Sequence, residues 1–154
     1  MPYYIKRKKK DSSAPKTRET GKWRSTSSYV KSLDRVFSQF IRLRDSKPYG
    51  FSYCRCISCG RVKPFDEFDC GHFYSRTHMS TRFDEDNCHA ECKHCNRFVA
   101  DHLIGYQENL IRKIGQKKFD ALRIKAHSTY KYSPWELELL IKHYKEEIEK
   151  LKSV

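Results

Sequence analysis

The sequence predicts an α+β domain, mostly helical, in which a small zinc-clasped β unit is wrapped by amphipathic helices. Three observations carry this. Two Cys-x-x-Cys knuckles, Cys56-Ile-Ser-Cys59 and Cys92-Lys-His-Cys95, stand about thirty residues apart, a spacing at which four thiolates close a tetrahedral zinc site. Apolar residues recur at helical spacing on both sides of the knuckles. Hydrophobic residues make up 38% of the 154 positions against 33% charged, and mean hydropathy is −0.86, so the chain supports one modest core. A zinc clip suits such a core, because a structural zinc contributes roughly 10–16 kcal/mol of binding free energy in small domains.

Residues 1–23 are rich in Lys and Arg, Lys8, Lys9 and Lys10 among them, with Ser, Pro, Thr and Gly between. With so little to bury, this segment reads as a disordered basic arm that neutralises phosphates. Residues 24–154 form a single domain, with a β and zinc core over 51–101 and helices flanking it over 25–46 and 102–152. Val30, Leu33, Phe37, Phe40 and Ile41 mark the first helix, which stops at the Lys47-Pro48-Tyr49-Gly50 turn. A strand over 51–56 leads to the first knuckle, with a positive φ expected at Gly60. Residues 61–73 read as a β-hairpin turning at Lys63-Pro64, with His72 on its second strand. Residues 74–83 are a polar loop, and 84–91 lead into the second knuckle, from which a helix runs to about Asp101. Leu103, Tyr106, Leu110 and Ile114 mark a further helix closed by Gly115. Phe119, Leu122 and Ile124 mark a shorter one, and Ser133-Pro134-Trp135-Glu136 opens the last with a capping box.

The formal net charge is +13 and the sequence pI about 9.5, which points to nucleic acid as the partner. No apolar run is long enough to span a bilayer and no signal-peptide pattern opens the chain, so a cytoplasmic location and no membrane partner are expected. Seven cysteines are an odd count, and in a reducing compartment the knuckle spacing favours metal over disulfides. Cys54, Cys70 and Cys88 read as buried or spare thiols, although Cys54 could replace Cys56 as a ligand.

Hydrolysis of a phosphodiester needs a base for the attacking water and a cation at the scissile phosphate. His72 is the candidate base, since an imidazole with a pKa near 6.5 is largely neutral at physiological pH. Asn96 directly follows Cys95, so a metal-tied helix aims its amide oxygen, a hard ligand suited to Mg²⁺ or Mn²⁺. Asn87 is placed to hydrogen-bond across the loop and orient His72. Arg76, His78 and Arg82 flank this centre as candidate DNA contacts, the guanidinium groups as phosphate clamps.

The run Asn87-x-x-x-x-Cys92-x-x-Cys95-Asn96 with His72 upstream resembles the zinc-bearing HNH (ββα-metal, treble-clef) nucleases and is similar to phage endonuclease VII. The chain resembles more closely the phage NinG (Rap) recombination family, through Cys56-Ile-Ser-Cys59-Gly60, Gly71-His72-Phe73, Arg82-Phe83-x-Glu85-Asp86-Asn87-Cys88-His89, Cys92-x-x-Cys95-Asn96 and Tyr106-x-x-Asn109. The resemblance spans roughly residues 28–150. It implies a phage- or prophage-encoded endonuclease of the bacterial host cell, acting on D-loops and Holliday junctions with one structural Zn²⁺ and a catalytic Mg²⁺ or Mn²⁺. Many HNH enzymes carry Asp or His directly before the base, where this chain has Gly71; Asp69 is then the substitute ligand beside Asn96. Paired nicks across a junction imply a homodimer, for which the first and last helices offer apolar faces. The competing class is a zinc-finger adaptor that binds branched DNA without cutting it.

Overall fold

The computed structural model describes residues 25–153. The basic arm, with Lys8, Lys9 and Lys10, lies outside the described residues. Helix α1 (Thr26–Ser46) begins at Ser25, whose hydroxyl accepts the Ser28 backbone N–H. A 3₁₀ turn over Lys47–Tyr49 ends it, and Gly50 and Phe51, at φ 63° and 62°, reverse the chain.

Strand β1 (Tyr53–Arg55) pairs antiparallel with β2 (Val62–Pro64), Tyr53 opposite Pro64 and Arg55 opposite Val62. The first knuckle is itself the turn of this hairpin. The Cys56 N–H reaches the Arg61 carbonyl at 2.9 Å, the Gly60 N–H reaches the Cys56 carbonyl at 2.9 Å, and Gly60 takes the expected positive φ of 72°. Lys63 and Pro64 therefore lie in a strand, not in a turn, and the hairpin expected over 61–73 does not form.

Strand β3 (Phe68–His72) pairs instead with β4 (Cys88–Cys92), Phe68 opposite Cys92 and His72 opposite Cys88. Helix α2 (Lys93–Phe98) follows at once and is shorter than expected: Val99 leaves the helical region and packs against the cysteine cluster, and Asp101 starts α3 (His102–Ile114). Helix α4 (Gln116–Ala126) buries Phe119 and Leu122, but Ile124, expected on the same face, is 73% exposed. Helix α5 (Pro134–Lys152) carries the capping box in full, the Ser133 hydroxyl accepting the Glu136 N–H and the Glu136 carboxylate accepting the Ser133 N–H. None of these helices is long and apolar enough to cross a membrane.

Three apolar clusters result. Leu33, Phe37, Phe40 and Ile41 of α1 meet Leu137, Tyr144 and Ile148 of α5, with Phe83, Cys70 and Cys88 beneath. The faces that a dimer was expected to use thus cover each other within one chain. A second cluster surrounds Cys56, Cys92 and Cys95, and a third packs α3 and α4 around Tyr106 and Leu110.

Candidate metal centre and active site

The knuckle turn supplies Cys56 and Cys59, the end of β4 supplies Cys92, and the first turn of α2 supplies Cys95. All four Sγ atoms lie within 4.8 Å of one another. A tetrahedral zinc with bonds of about 2.3 Å asks for S···S separations near 3.8 Å, so the four thiols can hold a zinc ion after small rotamer adjustments. The surroundings suit thiolates: the Cys59 and Cys92 N–H groups point at Cys56 Sγ from 3.5 and 3.3 Å. Burial otherwise pushes the Cys56 thiol up to about 11, so metal uptake releases protons. Cys54 stands outside the quartet; its buried thiol faces the Arg42 carbonyl at 3.6 Å, which settles the choice in favour of Cys56.

Asp69 and Asn96 meet. The Asn96 Nδ2 donates to Asp69 Oδ2 at 3.1 Å, across the contact between β3 and α2. Arg97, the next residue on α2, grips both oxygens of the same carboxylate at 2.8 Å each. This holds the Asp69 carboxyl below its ordinary range despite partial burial. The pair offers one carboxylate and one amide to a hard cation, and Arg97 must give up its grip for both carboxylate oxygens to be free.

His72 closes β3 on the other face of the strand, because side chains alternate and Asp69 is three residues back. Its ring lies with Cys70 and Cys88, the three potential ligand atoms within 4.8 Å of one another, and its Nε2 faces the Arg82 carbonyl at 3.1 Å. Burial, with the Arg76 charge second, lowers its pKa from the usual 6.5. Asn87 does not touch the imidazole. Fully buried, it accepts the Tyr74 N–H at 2.8 Å and donates to the Tyr74 and Thr81 carbonyls at 2.9 and 3.0 Å, clamping both ends of the loop that follows His72. Its link to His72 therefore runs through the backbone of that loop and not through a direct hydrogen bond.

The expected DNA contacts divide. Arg82 locks onto Asp34 of α1 through two hydrogen bonds, of 3.0 and 2.6 Å, so its fork is a strut between loop and helix and not a free phosphate clamp. His78 Nδ1 bonds the Ala126 carbonyl at the end of α4 at 2.9 Å. Arg76 is exposed, and among the described residues it contributes only its backbone carbonyl, to Arg82.

Several residues that hold the site gave no local signal. Glu91 is wholly buried on β4 and takes hydrogen bonds from Ser58, inside the first knuckle, and from His102, at the start of α3. One acid thereby ties knuckle, strand and helix together. The Tyr106 hydroxyl, also buried, sits 3.1 Å from the Gly71 and Asn87 carbonyls, joining the end of β3 to the start of β4. Glu91 also explains Gly71. A Cβ at position 71 would overlap the Glu91 carboxylate and lie 2.7 Å from its Cβ, so the space that a ligand directly before the base would need is already filled. Gly71→Ala is expected to destabilise the domain by about 1–3 kcal/mol through overpacking. Thermal unfolding reads this out, and an unchanged midpoint would mean that Glu91 moves aside freely.

The family model described as the bacteriophage lambda NinG protein matches residues 4–153. Protein ninG of Escherichia phage 933W is 28% identical over 126 residues, covering 81% of this chain and 59% of the relative. Protein ninG of Escherichia phage lambda is 27% identical over 126 residues, covering 81% and 58%. That of Salmonella phage P22 is 28% identical over 125 residues, covering 80% and 58%. The chain thus spans somewhat under six-tenths of the length of these curated relatives. No solved structure matches it.

Proposed function

We propose, on the premise that the chain belongs to the family of the bacteriophage lambda NinG protein, that it is a metal-dependent endonuclease hydrolysing phosphodiester bonds in branched DNA recombination intermediates. The observation that carries this reading is the meeting, at 3.1 Å, of Asp69 on β3 with Asn96 on α2, the helix that begins between two cysteines of the quartet. In it, Asp69 and Asn96 would hold Mg²⁺ or Mn²⁺, which when bound supplies charge neutralisation at the scissile phosphate and the departing oxygen. Arg97, released from Asp69, suits the phosphate with the same fork.

His72 is the base in this reading. A backbone carbonyl only accepts, so the Nε2 that faces Arg82 carries the proton and Nδ1 keeps the lone pair that takes one from water. The neutral ring is the working form, and its fraction rises with pH through a folded-state pKa that burial holds below 6.5. The acid limb of kcat/KM for junction cleavage is therefore expected below pH 6.5, with a plateau by pH 7. A limb centred above pH 7 would remove His72 from the role.

The adaptor reading draws on a different observation: both oxygens of Asp69 are already engaged by Arg97, and His72 stands on the opposite face of β3. One experiment separates the two. The protein is incubated with a synthetic four-way junction and a matched linear duplex, with and without Mg²⁺ or Mn²⁺. Metal-dependent nicking that favours the junction supports the nuclease; tight binding without nicking under either metal supports the adaptor. Two symmetric nicks require two sites, so a C₂ pair is the expected active species. Its contact must lie outside the α1 and α5 faces that cover each other.

A further inference from the structure

We infer that the cleft between the end of α1, the first knuckle and α3 is a nucleotide-binding site, taking the phosphate of a nucleotide on a basic wall and its base against Tyr49. The cleft has a volume of about 550 Å³ and is lined by Arg44, Arg55, Arg112 and Lys113 with Asp45 as its only carboxylate. That volume suits a small ligand. No residue assigned to zinc, base or catalytic cation lines it except Cys56, which faces it from the knuckle.

Arg44 also pairs with Glu85, at 3.6 Å, and gives its terminal nitrogens to the Glu85 and Cys88 carbonyls, so the excess charge of the cleft rests on Arg55, Arg112 and Lys113 beside one acid that is already engaged. Asp45 accepts from Arg44 Nε at 2.9 Å, Lys113 Nζ at 3.1 Å and the Ala90 N–H at 2.8 Å. Arg44 and Lys113 also both approach Nδ1 of the buried His89, each at 2.9 Å. That nitrogen has a single lone pair and accepts from one of them, so the other keeps an unused charged donor. Burial, and next among the opposing influences the Arg44 charge, lowers the Lys113 pKa despite Asp45. Arg55 makes no ion pair among the described residues, and Arg112 reaches only the neutral Asn109 amide, at 2.6 Å. An anion with several acceptor oxygens would satisfy these donors together, which is what a phosphate offers. Tyr49 is half-buried and has no aromatic partner among the described residues, leaving its ring face for a base.

The phosphate could belong to a free nucleotide or to the end of an unpaired DNA strand, and binding to the zinc-loaded full chain tells them apart. Titration calorimetry with dAMP, deoxyadenosine, inorganic phosphate and an eight-residue oligothymidylate, with or without a 5′ phosphate, supplies the arms. We expect dAMP to bind more tightly than inorganic phosphate, and deoxyadenosine not to bind. The Arg55→Ala/Arg112→Ala variant, which removes two exposed side chains, should keep its unfolding midpoint and weaken dAMP binding at least about tenfold. Tyr49→Ala should erase the advantage of dAMP over phosphate. Preference for the 5′-phosphorylated oligonucleotide over both its hydroxyl form and dAMP identifies a strand end as the ligand; equal binding of dAMP identifies the free nucleotide. Deoxyadenosine binding as well as dAMP, or undiminished dAMP binding by the double variant, would overturn the inference. The site is independent of cleavage, so His72→Ala should bind dAMP normally even if no DNA is ever cut.

Discussion

The β unit of this protein is expected to unfold when the cysteine quartet is denied zinc, by a strong chelator or by Cys92→Ala. The cluster around the quartet consists of Cys54, Cys56, Phe68, Ala90, Cys92 and Cys95, with Phe65 and Val99 at its edge. Four of its six fully buried members are thiols, too small a hydrophobic payload to hold two short hairpins in place. Without the ion, its binding free energy of about 10–16 kcal/mol is lost. That is comparable to the whole net stability of an ordinary domain, about 5–15 kcal/mol. At roughly 2–4 °C per kcal/mol for a chain of this size, the unfolding midpoint should fall by 20 °C or more. Amide exchange should show β1 to β4 unprotected while α1 and α5 keep part of their helicity. Elemental analysis should find one zinc per chain. A metal-free Cys92→Ala variant that melts with the parent would refute the quartet.

The second large effect is the one expected if the chain is the nuclease proposed above. His72→Ala should lower the rate of junction cleavage by about 10²–10⁴, the usual contribution of a general base, while junction affinity changes little. Asp69→Asn and Asn96→Ala should also suppress cleavage, but by raising the Mg²⁺ or Mn²⁺ concentration needed for half-maximal rate. The two signatures separate proton transfer from cation binding. If the His72 variant cuts nearly as fast as the parent, the base lies elsewhere, and His78 at the far end of the same loop is the first alternative to replace.

The parts of the fold that were legible are those with local causes. Ser133 announces its helix because a cap acts on an N–H three residues away, and Cys56, Cys59, Cys92 and Cys95 declare themselves by spacing. Strand β4 was not legible for a physical reason. All five of its residues are buried, so it has none of the alternation by which a half-buried strand betrays itself. Its partner β3 was consequently assigned to the wrong hairpin, with β2. Within the candidate site, Asp69 and Asn96, both named as cation ligands from the sequence, lie in hydrogen-bond contact. Arg82 and Glu91 were misread or missed because their partners are distant in sequence, whereas Asn87 does bond across the loop as expected. Asp34 lies 48 residues from Arg82, and Ser58 lies 33 from Glu91. A polar residue carries no mark of whether its partner will be protein or ligand.

The packing of α1 against α5 bears on how the protein is made. Leu33, Phe37 and Ile41 leave the ribosome early, yet Leu137, Tyr144 and Ile148, which cover them, follow only after about a hundred more residues. At a synthesis rate of about 5–20 residues per second, the part of α1 that faces α5 stays uncovered for on the order of 5–20 s. The zinc hairpins and the α3–α4 cluster can assemble in that interval from contacts already translated. The first helix therefore completes its burial last, once α5 has been made.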